Sequence, residues 1–164
     1  MKKYIKFLLF FFTAVVMLSC KKESFNGLSD VRPAVPVTVT NAIDFRPEPT
    51  VSTSIAAGGA IQIVLSIPAS SGRTLKEITR IAASTTYTKV QGTAGLYNSA
   101  PLAASGTTFT FNTTLAEYVV KGPGSIPSVS TTAGTELANR FYFMITLDDG
   151  SVLLPEPVRV LVTN

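Results

Sequence analysis

Beyond residue 33, apolar side chains recur at every second position, the period of strands buried on one face. Val35, Val37, Val39, Ile43 and Phe45 share one parity, with Pro36, Thr38, Thr40 and Asp44 on the other. Arg46-Pro47-Glu48-Pro49 then breaks the run, because proline lacks an amide donor and stiffens the turn. A short strand is predicted over residues 51–55, followed by a turn at Gly58-Gly59. The clearest strand comes next: Ile61, Ile63, Leu65 and Ile67 alternate with Gln62, Val64 and Ser66, and residues 68–72 end it. Residues 107–115 place Phe109, Phe111 and Leu115 on one face and Thr108, Thr110 and Thr114 on the other. Phe141, Phe143, Ile145 and Leu147 alternate with Tyr142, Met144 and Thr146. Asp148-Asp149-Gly150-Ser151 reads as a hairpin turn, residues 152–154 return, and Val158, Val160 and Val162 close the chain.

Other stretches are less regular. Leu75, Ile78 and Ile81 are three apart, which suits a helix, yet Ile78, Thr79 and Ile81 are β-branched and the neighbours are strands. The strand is the favoured reading, with residues 85–90 continuing or pairing with it. Residues 91–106 are rich in Gly, Ser, Ala and Asn and read as loop, from which Tyr97 is a candidate to tuck onto the core. Residues 115–120 read as a helical turn or a strand end, residues 121–134 as loop, and residues 135–139 as a short helical turn. About seven short strands separated by turn signals, with no long helix, predict an all-β fold: one antiparallel β-sandwich.

The start of the chain follows another pattern. Lys2, Lys3 and Lys6 lead into an apolar run over residues 7–18, followed by Ser19-Cys20. A basic start and an apolar core of about 7–15 residues define a secretory signal. A membrane-spanning helix needs about 20 apolar residues, so the run is too short to cross. Val16-Met17-Leu18-Ser19-Cys20 resembles the lipobox of bacterial lipoproteins, with Met17 in the place most often held by leucine. The resemblance implies cleavage before Cys20 and acylation of its thiol and new amine. One acyl chain anchors marginally; two or more, at about 0.8 kcal/mol per buried methylene, hold stably. Lys21, Lys22 and Glu23 are similar to the export tag of Bacteroidota-type surface lipoproteins. That implies outer-membrane anchoring and display at the cell surface, with the inner leaflet as the alternative. The expected organisation is a signal peptide at 1–19, a lipidated polar tether at 20–33 and a sandwich domain at 34–164.

The domain itself resembles immunoglobulin- or fibronectin-III-like modules, without the paired cysteines and core tryptophan of antibody domains. Its ending, residues 141–151 and 158–162, resembles the last two strands of such modules in surface lipoproteins. Most of residues 31–164 is loosely similar to exported Bacteroidota-type proteins. These likenesses imply a fold and carry no biochemical role.

Composition narrows the function further. The chain has 14 basic and 10 acidic residues, no histidine and one cysteine. Three of the basic residues lie in the predicted signal, leaving 11 against the 10 acids. No electrostatic footprint for nucleic acid remains. Membrane affinity is therefore expected through lipid on Cys20. With the lone cysteine so used, no internal disulfide is expected. The missing histidine removes Ser-His-Asp and Cys-His catalysis and the usual zinc sites.

Candidate chemistry is sparse. Tyr87, Tyr97, Tyr118 and Tyr142 could stack on sugars or stud a protein interface, although Tyr142 is opposite in parity to Phe141 and Phe143. Asp148 and Asp149 could ligate calcium, but they lack the alternation of calcium loops and suit a turn better. Glu117 beside Tyr118, or Asp44 with Glu48, could supply glycosidase acids, for which a single small sandwich seldom offers a cleft. The one Ser-x-x-Lys, Ser19 to Lys22, straddles the predicted cut, and Thr86 to Lys89 lies in strand-like sequence. No catalytic residue, metal or cofactor is expected. The expectation is a non-catalytic envelope module that binds a protein, with a glycan-binding accessory of an uptake system as the alternative.

Overall fold

The structure, a computed structural model, describes residues 33–129 and 133–164. The predicted signal and the residues Cys20, Lys21, Lys22 and Glu23 lie outside the described residues. The described residues hold ten strands: β1 (Thr38–Val39), β2 (Thr50–Ser54), β3 (Ala60–Ser66), β4 (Leu75–Ser84), β5 (Leu102–Ala103), β6 (Thr108–Thr114), β7 (Thr135–Glu136), β8 (Arg140–Leu147), β9 (Val152–Leu153) and β10 (Arg159–Thr163). Among the described residues two short α-helices, α1 (Thr88–Gln91) and α2 (Leu115–Lys121), and a 3-10 turn at Ala69–Ser71 interrupt them. No helix among the described residues is long and apolar enough to cross a membrane.

The strands form three open sheets, ordered β1-β3-β6, β2-β10-β7 and β5-β4-β8-β9. The fold is all-β. Ile61, Ile63 and Leu65 of β3, Val160 and Val162 of β10, and Phe141, Phe143, Ile145 and Leu147 of β8 are all buried in one cluster. Each series follows the two-residue period that its sequence predicts, since alternate side chains on a strand share a face. Phe111 of β6 joins the first sheet to the third, its ring centre 5.7 Å from those of both Phe141 and Phe143. Such edge-to-face pairs contribute about 0.5–1.5 kcal/mol beyond the area they bury.

β4 explains the three-residue spacing of Leu75, Ile78 and Ile81. Its antiparallel register with β8 slips twice, between Leu75 and Glu77 and between Ile78 and Arg80. Each bulge inserts one extra residue, so side chains three apart come to the same face. Leu75, Ile78, Ile81 and Ala83 thereby oppose Leu147, Ile145, Phe143 and Phe141 in turn. The helical spacing belongs to a strand with two bulges.

Several expectations change. β10 pairs with β2 in parallel over five residues, so the arrangement is not wholly antiparallel. The two strands are far apart in sequence, so no short hairpin dictates their direction. β1 keeps only two residues; Ile43 and Phe45 are 60% and 55% exposed, because the chain turns at Thr40-Asn41 and leaves the core. Residues 85–90 do not continue the strand but bend into α1, which packs Val90 over Ala82 and Tyr142. Residues 135–139 hold β7 rather than a helical turn, since Thr135 and Glu136 pair with Val162 and Leu161 of β10. α2 settles the 115–120 segment as helix. Thr114 caps it, its hydroxyl accepting the Glu117 amide at 3.1 Å, half of a capping box.

Candidate functional site

A cleft of about 700 Å³ opens between β6 and the segment that precedes β5. Leu96, Tyr97 and Leu102 line one side, Phe109 and Phe111 the other, with Glu117 and Lys121 of α2 at the end. Asn98 explains how the first side is built. β5 pairs only with Glu77 and Ile78 of β4, and beyond them the Asn98 side chain takes up the backbone groups along that edge. Its Oδ1 accepts from Ile81 N at 2.6 Å, and its Nδ2 donates to Thr79 O at 3.3 Å. Tyr97 N donates to Ile81 O at 2.7 Å, and Ala104 N to Lys76 O at 3.0 Å. The segment is thus fastened along the edge of β4.

Tyr97 turns inward from it. Its ring meets Phe111 at 5.9 Å and Phe141 at 5.3 Å, both near perpendicular. The Tyr97 and Thr113 hydroxyls lie 2.6 Å apart, and Thr113 Oγ1 donates to Glu117 Oε2 at 2.7 Å. A threonine hydroxyl has one proton, and here the carboxylate takes it. Tyr97 is therefore the donor to Thr113. Lys121 Nζ completes the chain, 3.3 Å from Glu117 Oε1 and 5.3 Å above the Tyr97 ring centre.

These contacts define the protonation states. The Thr113 hydroxyl and then the Lys121 ammonium hold Glu117 below the ordinary carboxylate value. Burial, the dominant cause, pushes the Tyr97 phenol up. At neutral pH the site thus presents an ionised carboxylate already engaged by two donors and a neutral phenol. That is an arrangement for positioning, and Glu117 is poorly placed to serve as a proton donor.

The tyrosines separate by burial. Tyr118 is fully buried, and its hydroxyl accepts the Asn139 amide at 3.1 Å. Tyr142 faces away from Phe141, as its parity predicts, yet α1 covers it and it too is buried. Both expectations of ligand contact therefore need correcting, since neither ring reaches solvent. Tyr97, also buried, keeps contact with the cleft through its wall. Tyr87 is 39% exposed, stacked edge-on against Tyr142 at 4.7 Å.

The remaining candidates are engaged elsewhere. Asp149 accepts the Ser151 hydroxyl and amide at 2.6 and 2.9 Å and pairs with Arg73 at 2.9 Å, so it serves the hairpin turn. Asp148 Oδ1 accepts from Thr74 N. Asp44 accepts the Phe45 amide at 2.8 Å, while Glu48 contacts Arg140 at 2.6 Å. Thr86 and Lys89 belong to the bend and helix that cover Tyr142. Thr113 and Lys121 were not singled out from sequence. Thr113 carries a local signal, a hydroxyl residue in the apolar phase of Phe109, Phe111 and Leu115.

No protein-family model, curated protein or solved structure matches the chain.

Proposed function

We propose that the chain is a lipid-anchored lipoprotein of the outer membrane, displayed at the cell surface, whose domain is a non-catalytic binding module. The single supporting observation is the cleft beside β6, hydrogen-bonded to β4 along one wall and lined by apolar side chains, a few neutral polar groups and the Glu117–Lys121 ion pair. Such concave, largely preformed surfaces are where ligands bind. The finer fold reading, an immunoglobulin- or fibronectin-III-like sandwich, rests on the facing sheets joined through Phe111. The anchor rests on the lipobox at Cys20 and the tag at Lys21, Lys22 and Glu23.

Protein is the preferred ligand class. Glycan binding by an uptake accessory is the second reading, favoured by the exposed ring of Tyr87. Cys20→Ala should abolish labelling by a fatty-acid probe and leave an uncut precursor; persistent labelling overturns the anchor. A pull-down from envelope extracts tests the module, and recovery of no specific partner counts against it. A glycan array on which Tyr87→Ala weakens binding would instead favour the second reading.

A further inference from the structure

The three sheets have six outer edges, and five of them are guarded. Four are strands of only two residues: β1, β5, β7 and β9. The fifth, β2, is mostly buried, with its Thr53 hydroxyl donating to Ala60 O at 2.7 Å. The sixth is β6. It runs seven residues in unbroken register with β3 and carries no proline, no charge and no bulge. Long flat edges of this kind pair readily with another strand, and proteins usually blunt them.

The ladder parity identifies the free groups. Ile67 N donates to Thr107 O, and Leu115 N to Gly59 O, so odd-numbered residues of this strand face β3. The partner of Thr110 on β3, Val64, turns its own amide and carbonyl the other way, to Asn41 Oδ1 and Thr40 N. The N–H and C=O groups of Thr108, Thr110 and Asn112 therefore point outward. Among the described residues nothing pairs with them. They run along the cleft whose opposite wall is sealed onto β4.

We propose that the open edge of β6 takes up an extended peptide segment as an added strand, its alternate side chains filling the cleft. This rests on the reading of the domain as a binding module and does not depend on the lipid anchor. Strand addition gives affinity through main-chain bonds and selectivity through pockets for every second side chain. The cleft argues for a free segment over a second copy of this chain. A second β6 would arrive with Phe111 already buried in its own core, and could not fill about 700 Å³ here. Glu117 and Lys121, the charged residues of the lining, neutralise each other, so the segment should be uncharged and apolar at inward positions.

The test uses the full chain in detergent and an array of ten-residue peptides with apolar residues at alternate positions. The best binder is titrated against three variants. Thr110→Pro deletes an outward N–H and leaves the bonds to β3 intact, a placement that edge strands tolerate. It should weaken binding at least about tenfold, while Thr110→Val, which keeps the N–H, should not. Asn112→Pro repeats the test one outward position along. Hydrogen exchange on the unmodified chain, which needs no variant to fold, should slow at Thr108, Thr110 and Asn112 on binding. No binder on the array, equal binding by the proline variants, or unchanged exchange at these amides each overturns the proposal. So does a dimer that Thr110→Pro dissociates, because the occupant would be a second copy. A specific glycan or protein ligand indifferent to Thr110→Pro overturns strand addition and leaves the binding-module reading standing.

Discussion

Tyr97 donates its hydroxyl proton to Thr113, which donates its own to Glu117, so the first bond ties the 96–103 segment to β6 and the second ties β6 to α2. Tyr97 and Thr113 are both buried, so neither hydroxyl can turn to water for a replacement partner. The mouth between two sheets is held at a set width by this pair.

Thr113→Val should cost more than Tyr97→Phe. The first orphans the buried phenol and removes a donor from Glu117, about 1–3 kcal/mol; the second removes one bond, about 0.5–1.5 kcal/mol. Urea denaturation of both variants and the double variant measures the coupling. Equal costs with no coupling would refute the relay.

Acid should loosen the same region. The folded carboxyl of Glu117 titrates below its ordinary value of 4.5, because the Thr113 hydroxyl and Lys121 favour the charged form. A depressed folded pKa contributes stability above the unfolded value and loses it as pH falls through the folded one. Asp149, held down first by the Ser151 hydroxyl, and Asp44, by the Phe45 amide, act in the same direction. Stability measured from pH 6 to 3 should therefore fall below about pH 4.5, less steeply in Glu117→Gln. An identical slope in that variant contradicts the assignment.

Gly124 lies over the Tyr118 ring, and a Cβ there would sit 2.6 Å from Cε1. The ring is fully buried and cannot swing aside. Gly124→Ala should destabilise by about 1–3 kcal/mol through overpacking. Thermal unfolding of Gly124→Ala in a Tyr118→Ala background gives the control, since the clash disappears there. A penalty of the same size in both backgrounds would refute the contact.

The bulged register of β4 makes its own prediction. Ile78→Ala and Ile81→Ala should each cost about 2–5 kcal/mol, while Lys76→Ala, on the exposed face, stays within about 0.5 kcal/mol. Denaturant midpoints decide it. A small effect at Ile78 would mean that the residue does not share the face of Ile81.

Much of the site was hidden in the sequence for one reason: burial is decided by what arrives from elsewhere. Tyr142 points outward by parity, and only α1 docking through Val90 makes it interior. Thr114 and Glu117 cap α2 only because the chain leaves the strand at Leu115, which the alternation of Phe109, Phe111 and Leu115 does not signal.

The amino-acid order alone determined β3, β6, β8 and β10, because a two-residue period and a dry interior are properties of each segment by itself. It likewise carried the hairpin at Gly150, whose left-handed φ of 82° suits glycine. Tertiary structure decided the parallel match of β2 to β10, the two bulges in β4 and the edge of β6, which no strand among the described residues covers. These are relations between distant segments, and a strand carries no local record of which neighbour will supply, or withhold, the partner for its outer backbone groups.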